Sequence, residues 1–373
     1  MGRDHGRLHG DDGAGDDLLH PGAGTDLRRA GLRGGERVSD PGLRRLVDSV
    51  LWPGFLGTGT PDWVRRRCED GLAGVVLFAG NLGEELGGDA LDLPEGCLVG
   101  IDEEGGTVTR LDAARGSREL GAAQLGSLDD VELTRATARR LAVRSAGVGA
   151  NVVLGPVADV NTDPRNPVIG TRSFGAEPQL VSRHVAAAVR GIHDVGAACA
   201  PKHFPGHGDT DTDTHVGLTV SRAALADQAE VHLAPFAAAV AAGARMIMTA
   251  HLVVPGWSRQ PATASPDVLA QLRDMGFAGA IVSDALDMGA MRASFGAQAP
   301  VVALAAGCDL LCLGNPANPG SSGDAEADLL AAEDAVLAAL ADGTLPSRRL
   351  EEAAGRVTDL AQQVGGPSEI AAS

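Results

Sequence analysis

From about residue 43 the chain alternates short β-rich runs with longer Ala/Leu/Arg stretches of helical character. This alternation restricts the fold more than any other feature of the sequence, because it is the pattern of βα units built on a parallel sheet. Eight strands are expected, at residues 50–55, 74–78, 97–102, 150–155, 197–202, 244–250, 280–284 and 309–313. Helices are expected at 61–70, 130–146, 178–195, 222–242, 266–275, 297–306, 324–341 and 347–364. Eight strand-helix repeats in roughly 320 residues fit a single (β/α)8 TIM barrel with long βα loops. An open doubly wound sheet usually has five or six strands. The expected organisation is an extension at 1–42 that is disordered or foreign to the native protein, a barrel over 43–364 and a flexible tail at 365–373.

A barrel places its chemistry at the carboxyl ends of several strands. The third expected strand ends in Ile101-Asp102-Glu103-Glu104-Gly105-Gly106, and the fourth leads through Asp159 into a long loop ending at Arg172-Ser173-Phe174-Gly175. The fifth runs into Lys202-His203, the sixth ends near Thr249-Ala250-His251, and the seventh ends in Ser283-Asp284. Strand entries are mostly Gly and Ala, so polar chemistry gathers at one end.

Composition narrows the partners. A formal net charge of −18 argues against nucleic acid or an anionic membrane surface. No run of eighteen apolar residues is present, so no membrane insertion is expected. The first forty residues lack the apolar segment of a secretory signal, which favours the cytoplasm. The five cysteines, Cys68, Cys97, Cys199, Cys308 and Cys312, form no C-x-x-C pair and read as reduced core residues. The oligomeric state is not legible.

The densest polar cluster runs from Lys202 to His215 and begins with the only lysine in a chain of thirty arginines. Lysine offers a compact charge with rotatable donors, suited to hydroxyls or to amine chemistry, where arginine presents a flat fork. Residues 206–215 are too rich in Gly, Asp and Thr for helix or strand and read as a loop over the active face. Within it, Asp213 lies two residues before His215. A carboxylate so placed favours an imidazole able to give and take a proton near neutral pH. Asp209, Asp211 and Asp213 alternate as in calcium loops but lack the rest of that motif. His203, His207 and His215 leave a zinc site open from spacing alone. Asp284 follows an apolar strand. A rigid carboxylate facing a proton donor is the arrangement of a retaining glycosidase.

Lys202-His203-Phe204-Pro205-Gly206-His207-Gly208, then Asp213-Thr214-His215, then Ser283-Asp284-Ala285-Leu286-Asp287-Met288, resembles glycoside hydrolase family 3, in its NagZ-type branch of bacterial β-N-acetylglucosaminidases. The resemblance extends from about residue 43 to 362, with further matches at Pro53-Gly54-Phe55, Phe78, the motif from Asp102 to Gly106 with Arg110, Gly170 to Gly175, and Thr249-Ala250-His251. It implies Asp284 as nucleophile and His215 as acid/base with Asp213 as its partner. It also implies that Asp102, Arg110, Arg172, Lys202 and His203 hold a terminal N-acetylglucosamine, without metal or cofactor. Peptidoglycan fragments (muropeptides) are the implied substrates. Ala285 departs from the Asp expected in many relatives of this branch. Phosphorolysis at the same site, a metal-dependent barrel hydrolase and a Schiff-base lyase using Lys202 are the alternatives.

Overall fold

Strand side chains alternate between two faces, and in this chain both faces are buried. The computed structural model describes residues 40–83, 91–211, 217–318 and 321–373. Among them are the strands β1 (Leu51–Pro53), β2 (Gly74–Leu77), β3 (Leu98–Ile101), β4 (Val152–Val153), β5 (Ala198–Cys199), β6 (Thr219–Val220), β7 (Met246–Met248), β8 (Leu252–Val253), β9 (Ala280–Val282) and β10 (Leu311–Gly314). One face carries Val75, Val99, Val153, Cys199, Ile247, Ile281 and Leu311 into a core shared with the helices. The other carries Val76, Leu98, Val152, Ala198, Met246, Met248, Ala280 and Leu310 into a second core closed by Val357 and Leu360 of the helix Ser347–Gln363. Trp52 fills much of that second core and donates from Nε1 to the Leu98 carbonyl at 2.8 Å. A Cβ on Gly100 would come within 2.5 Å of the indole, so glycine is required there.

Every ladder between strands is parallel. β2, β3, β4 and β5 pair in sequence order, β1 pairs with β10, and β7 pairs with β9. Single parallel bridges join Gly54 to Val76, Phe204 to Thr249 and Val282 to Leu310. This is α/β architecture with helices following strands, as expected. β6 and β8 form a further two-stranded ladder that the sequence pattern did not announce. Its strands are two residues long, too short to leave a period.

Two expectations need correction. The helix expected over 222–242 is broken into Leu225–Asp227, a π-helical turn Gln228–His232 and Ala234–Ala241. Pro235 is the reason: it has no N–H to give an upstream carbonyl and belongs in a first turn, where it now stands. The tail expected to be flexible holds the helix Pro367–Ala371, which packs against the helix Val131–Ala146 with Ile370 fully buried. One buried isoleucine in a nine-residue tail leaves no periodic signal. Of the extension expected over 1–42, residues 1–39 lie outside the described residues, while Pro41 and Gly42 open the helix Pro41–Asp48.

Candidate active site

β3 delivers Asp102, β5 delivers Lys202 and His203, and β9 delivers Asp284, each just beyond the strand's carboxyl end. The Lys202 side chain is 2% exposed, and its Nζ donates to Asp102 Oδ1 at 2.6 Å and lies 2.7 Å from Glu104 Oε1. Burial alone would push the lysine down, but the Asp102 and Glu104 charges hold it above its ordinary value, so it is an ammonium. Arg172 grips the same Glu104 with both prongs, Nε to Oε2 at 2.9 Å and Nη2 to Oε1 at 2.7 Å. Arg110 Nη2 reaches Asp102 Oδ2 at 3.2 Å. Burial favours the neutral acids, yet the Lys202 charge, with Arg110 and Arg172 around it, keeps Asp102 well below its ordinary range, and Lys202 and Arg172 hold Glu104 down to about 2.

The loop after β3 turns sharply at Gly105 and Gly106, with φ of 76° and 58°. A Cβ on Gly105 would meet the Leu120 carbonyl at 2.7 Å, so this left-handed turn needs glycine on both counts. Fully buried Glu103 fixes the returning segment by accepting from Arg110 N at 2.8 Å and Leu111 N at 3.0 Å. Arg110 is thereby aimed back at Asp102.

His203 is oriented by Asp159, which lies beyond β4. Nδ1 meets Asp159 Oδ2 at 2.7 Å, while the His203 and His207 N–H groups donate to Oδ1 at 3.2 and 2.7 Å. Arg172 Nη2 lies 3.4 Å from Nε2 and can only donate, so the ring proton belongs on Nδ1. The Lys202–His203 and Phe204–Pro205 peptide bonds are both cis.

Asp284 stands half-buried past β9, its Oδ1 accepting from its neighbour Ala285 N at 2.8 Å. Burial acts to raise its pKa. The electrostatic influence of the neighbouring His251 and His203 side chains, the Ala285 N–H and the Lys202 ammonium outweigh that and lower it, so the carboxylate is ionised. Asp287, three residues on, anchors the segment after β10: its Oδ2 accepts from Asn315 N, Asn318 Nδ2 and Ser321 Oγ at 3.2, 3.0 and 3.2 Å.

The structure thus brings Asp102, Arg110, Arg172, Lys202 and His203 into one network, with Asp284 within electrostatic reach of Lys202 and His203. Asp213 and His215 lie outside the described residues. The base of their loop is described: Asp209 Oδ2 accepts from Ser221 Oγ, Arg222 N and Ala223 N at 2.7, 2.7 and 2.6 Å. Glu104 and Asp159 were not singled out from sequence. Both stand at strand ends within the motifs already noted, and that position was the available signal. Among the described residues no set of three or more His, Cys, Asp or Glu side chains is arranged to hold a metal ion.

A family described as the glycosyl hydrolase family 3 N terminal domain matches residues 89–360. A β-hexosaminidase of Stenotrophomonas maltophilia strain K279a is 36% identical over 278 residues, covering 68% of this chain and 79% of its own length. A β-hexosaminidase of Xylella fastidiosa strain M23 is 35% identical over 270 residues, with the same coverage of 68% and 79%. Among solved structures, a glycoside hydrolase family 3 β-N-acetylglucosaminidase from Paenibacillus sp. FPU-7 superposes with a TM-score of 0.77 at 34% identity. That match covers 86% of this chain and 62% of the Paenibacillus chain, less than two thirds of its length. A family 3 glycosyl hydrolase from Mycobacterium smegmatis gives a TM-score of 0.74 at 28% identity, covering 88% of this chain and 99% of that one.

Proposed function

We propose, from the fact that this chain belongs to glycosyl hydrolase family 3 and is a glycoside hydrolase, that it is a retaining exo-β-N-acetylglucosaminidase acting through Asp284. The observation that carries the reading is an ionised, half-buried carboxylate at the end of β9, beside a lysine-arginine-carboxylate network suited to sugar hydroxyls. We take the strands as a (β/α)8 barrel. The succession of pairings and bridges from β1 through β5, β7, β9 and β10 back to β1 supports this reading.

In this mechanism Asp284 attacks the anomeric carbon while His215, partnered by Asp213, protonates the departing oxygen. A glycosyl-aspartate forms, and the same histidine then removes a proton from the water that hydrolyses it. Asp102 accepts from sugar hydroxyls, while Lys202, Arg172, His203 and Arg110 surround them. Arg110 Nε is buried without a partner among the described residues, and in this reading that donor is available to a sugar hydroxyl. Lys202 is held as an ammonium between two carboxylates, which is the wrong state for Schiff-base chemistry. The substrate is a terminal β-linked N-acetylglucosamine, supported by the relatives named as β-hexosaminidases and by the Paenibacillus enzyme; peptidoglycan fragments in the cytoplasm are its proposed source. Phosphorolysis draws no support from these relatives.

The test is covalent trapping with a 5-fluoro N-acetylglucosaminyl fluoride followed by peptide mapping. The sugar is expected on Asp284, and a label on any other residue overturns the assignment. Asp284→Ala is expected to remove turnover of an aryl N-acetylglucosaminide, by at least about 10⁴-fold.

A further inference from the structure

We infer that His251 is the positioning residue of the nucleophile: held by Thr263, it donates from Nε2 to the Ala285 carbonyl and fixes the main chain whose N–H holds Asp284. The inference rests on the reading of Asp284 as nucleophile and adds a residue to it. His251 follows β7 and is fully buried, as are Thr249 and Thr263 around it. Its Nε2 lies 2.9 Å from Ala285 O and its Nδ1 2.8 Å from Thr263 Oγ1. Thr249 Oγ1 lies 2.7 Å from Thr263 Oγ1.

Counting protons fixes the direction. A carbonyl only accepts, so Nε2 carries a proton whatever the charge on the ring. In the neutral ring Nδ1 must accept, and the Thr263 hydroxyl is the donor. Thr263 Oγ1 can then accept from Thr249. The Ala250 carbonyl, 3.1 Å from Thr263 Oγ1, keeps a partner in the Thr263 N–H at 3.3 Å. In the imidazolium both ring nitrogens donate, and the Thr263 proton turns to Ala250. Either way the chain of donors ends Nε2–H to Ala285 O, and Ala285 N–H to Asp284 Oδ1 at 2.8 Å. The two peptide units flank one Cα. Fixing the first restricts the second and hence the direction in which Asp284 faces the anomeric carbon. The contact reaches the main chain, so it is independent of the alanine side chain at 285.

The group is purposeful on a second count. A fully buried histidine costs desolvation that an apolar residue would avoid. The His251 Nε2–H stays committed to the Ala285 carbonyl in either charge state, so the residue holds this main chain whatever its protonation.

The experiment measures the first-order rate constant for inactivation by the 5-fluoro N-acetylglucosaminyl fluoride, and its apparent binding constant, in the full chain. The native protein is mapped first. A label at Asp284 upholds the nucleophile, and a label elsewhere defeats the functional reading before His251 is tested. In His251→Leu the inactivation rate constant is expected to fall about 30-fold or more with binding changed less than about threefold, since only the attack geometry is disturbed. His251→Gln can return one N–H to Ala285 O and is expected to recover much of that loss. An unchanged rate constant in His251→Leu, or equal losses in the Leu and Gln variants, overturns the proposal. If His251→Leu does not fold, Thr263→Val carries the test. It keeps the ring but removes its holder, and it is expected to slow inactivation about 3- to 10-fold; an unchanged rate there overturns the proposal as well.

Discussion

Lys202 shows what one ammonium does that thirty guanidinium groups cannot. Its Nζ fits between Asp102 and Glu104 at 2.6 and 2.7 Å, and Glu104 is already engaged on both oxygens by Arg172. A second planar fork at position 202 would be longer, would compete with Arg172 for Glu104 and would have no solvent to retreat into. Lys202→Arg is therefore expected to lower kcat/KM on an aryl N-acetylglucosaminide about 100-fold, near 3 kcal/mol, although charge is conserved. Unchanged kcat/KM would make the lysine incidental. At this scale the sequence disclosed addresses and withheld partners. Asp102, Lys202 and His203 could be singled out because they follow strand ends inside long motifs, and Arg110 and Arg172 because they lie in the motif loops beyond β3 and β4. That Glu104 would grip two cations, or that Asp159 would set the His203 ring, depends on which strand ends become neighbours, and the linear chain does not carry that distance. His251 was visible only as one more polar residue at a strand end.

Among elements, the ion cluster at the entry of β10 does work that the apolar pattern hides. Fully buried Asp309 accepts from Arg273 Nη2 at 2.7 Å, Arg349 Nη2 at 2.7 Å and Arg356 Nη1 at 3.0 Å. It thereby ties the helices Pro266–Asp274 and Ser347–Gln363 to the last strand, at the end remote from the site. Its Oδ2 also accepts from Ile281 N at 3.0 Å, so β9 is caught in the same knot. Asp309→Ala would leave three partly buried arginines without their anion, a loss of about 3–5 kcal/mol. The expected signature is a fall of several degrees in Tm, with kcat/KM at 25 °C nearly unchanged in the protein that remains folded. A Tm equal to the native value would show that solvent serves the arginines as well as Asp309 does. Long helices match their expected ranges within a residue or two at most ends, and caps fix several of their starts: Asp130, Ser265 and Asp324 each accept from an N–H three residues on. The break near Pro235 was legible in principle. Alanine-rich periodicity on both sides of the proline concealed it.

For the molecule as a whole, a charge of −18 makes acid titration the sharpest probe of how the fold uses its carboxylates. Two buried acids work in opposite directions. Burial raises Asp48 to about 6, despite Arg67 at 2.5 Å. Its folded pKa exceeds its unfolded value of 3.8, so the folded state binds the extra proton and Asp48 adds stability as pH falls from about 6 toward 4. Glu104 is the reverse. Lys202 and Arg172 lower it from 4.5 to about 2, so its contribution is complete above pH 4.5 and is lost as pH falls toward 2. The depression corresponds to on the order of 3 kcal/mol, taken from a side chain that is only 6% exposed. Comparing each native-minus-variant difference in Tm isolates one group from the many that titrate together. The native advantage over Glu104→Gln should be flat from pH 7 to 4.5 and then shrink steadily toward pH 2. The native protein should gain on Asp48→Asn as pH falls from 7 to 4.5. A Glu104→Gln difference that stays constant through the acid range would mean that the Lys202–Glu104–Arg172 network does not stabilise the fold. In that case its carboxylate would be arranged for the sugar alone.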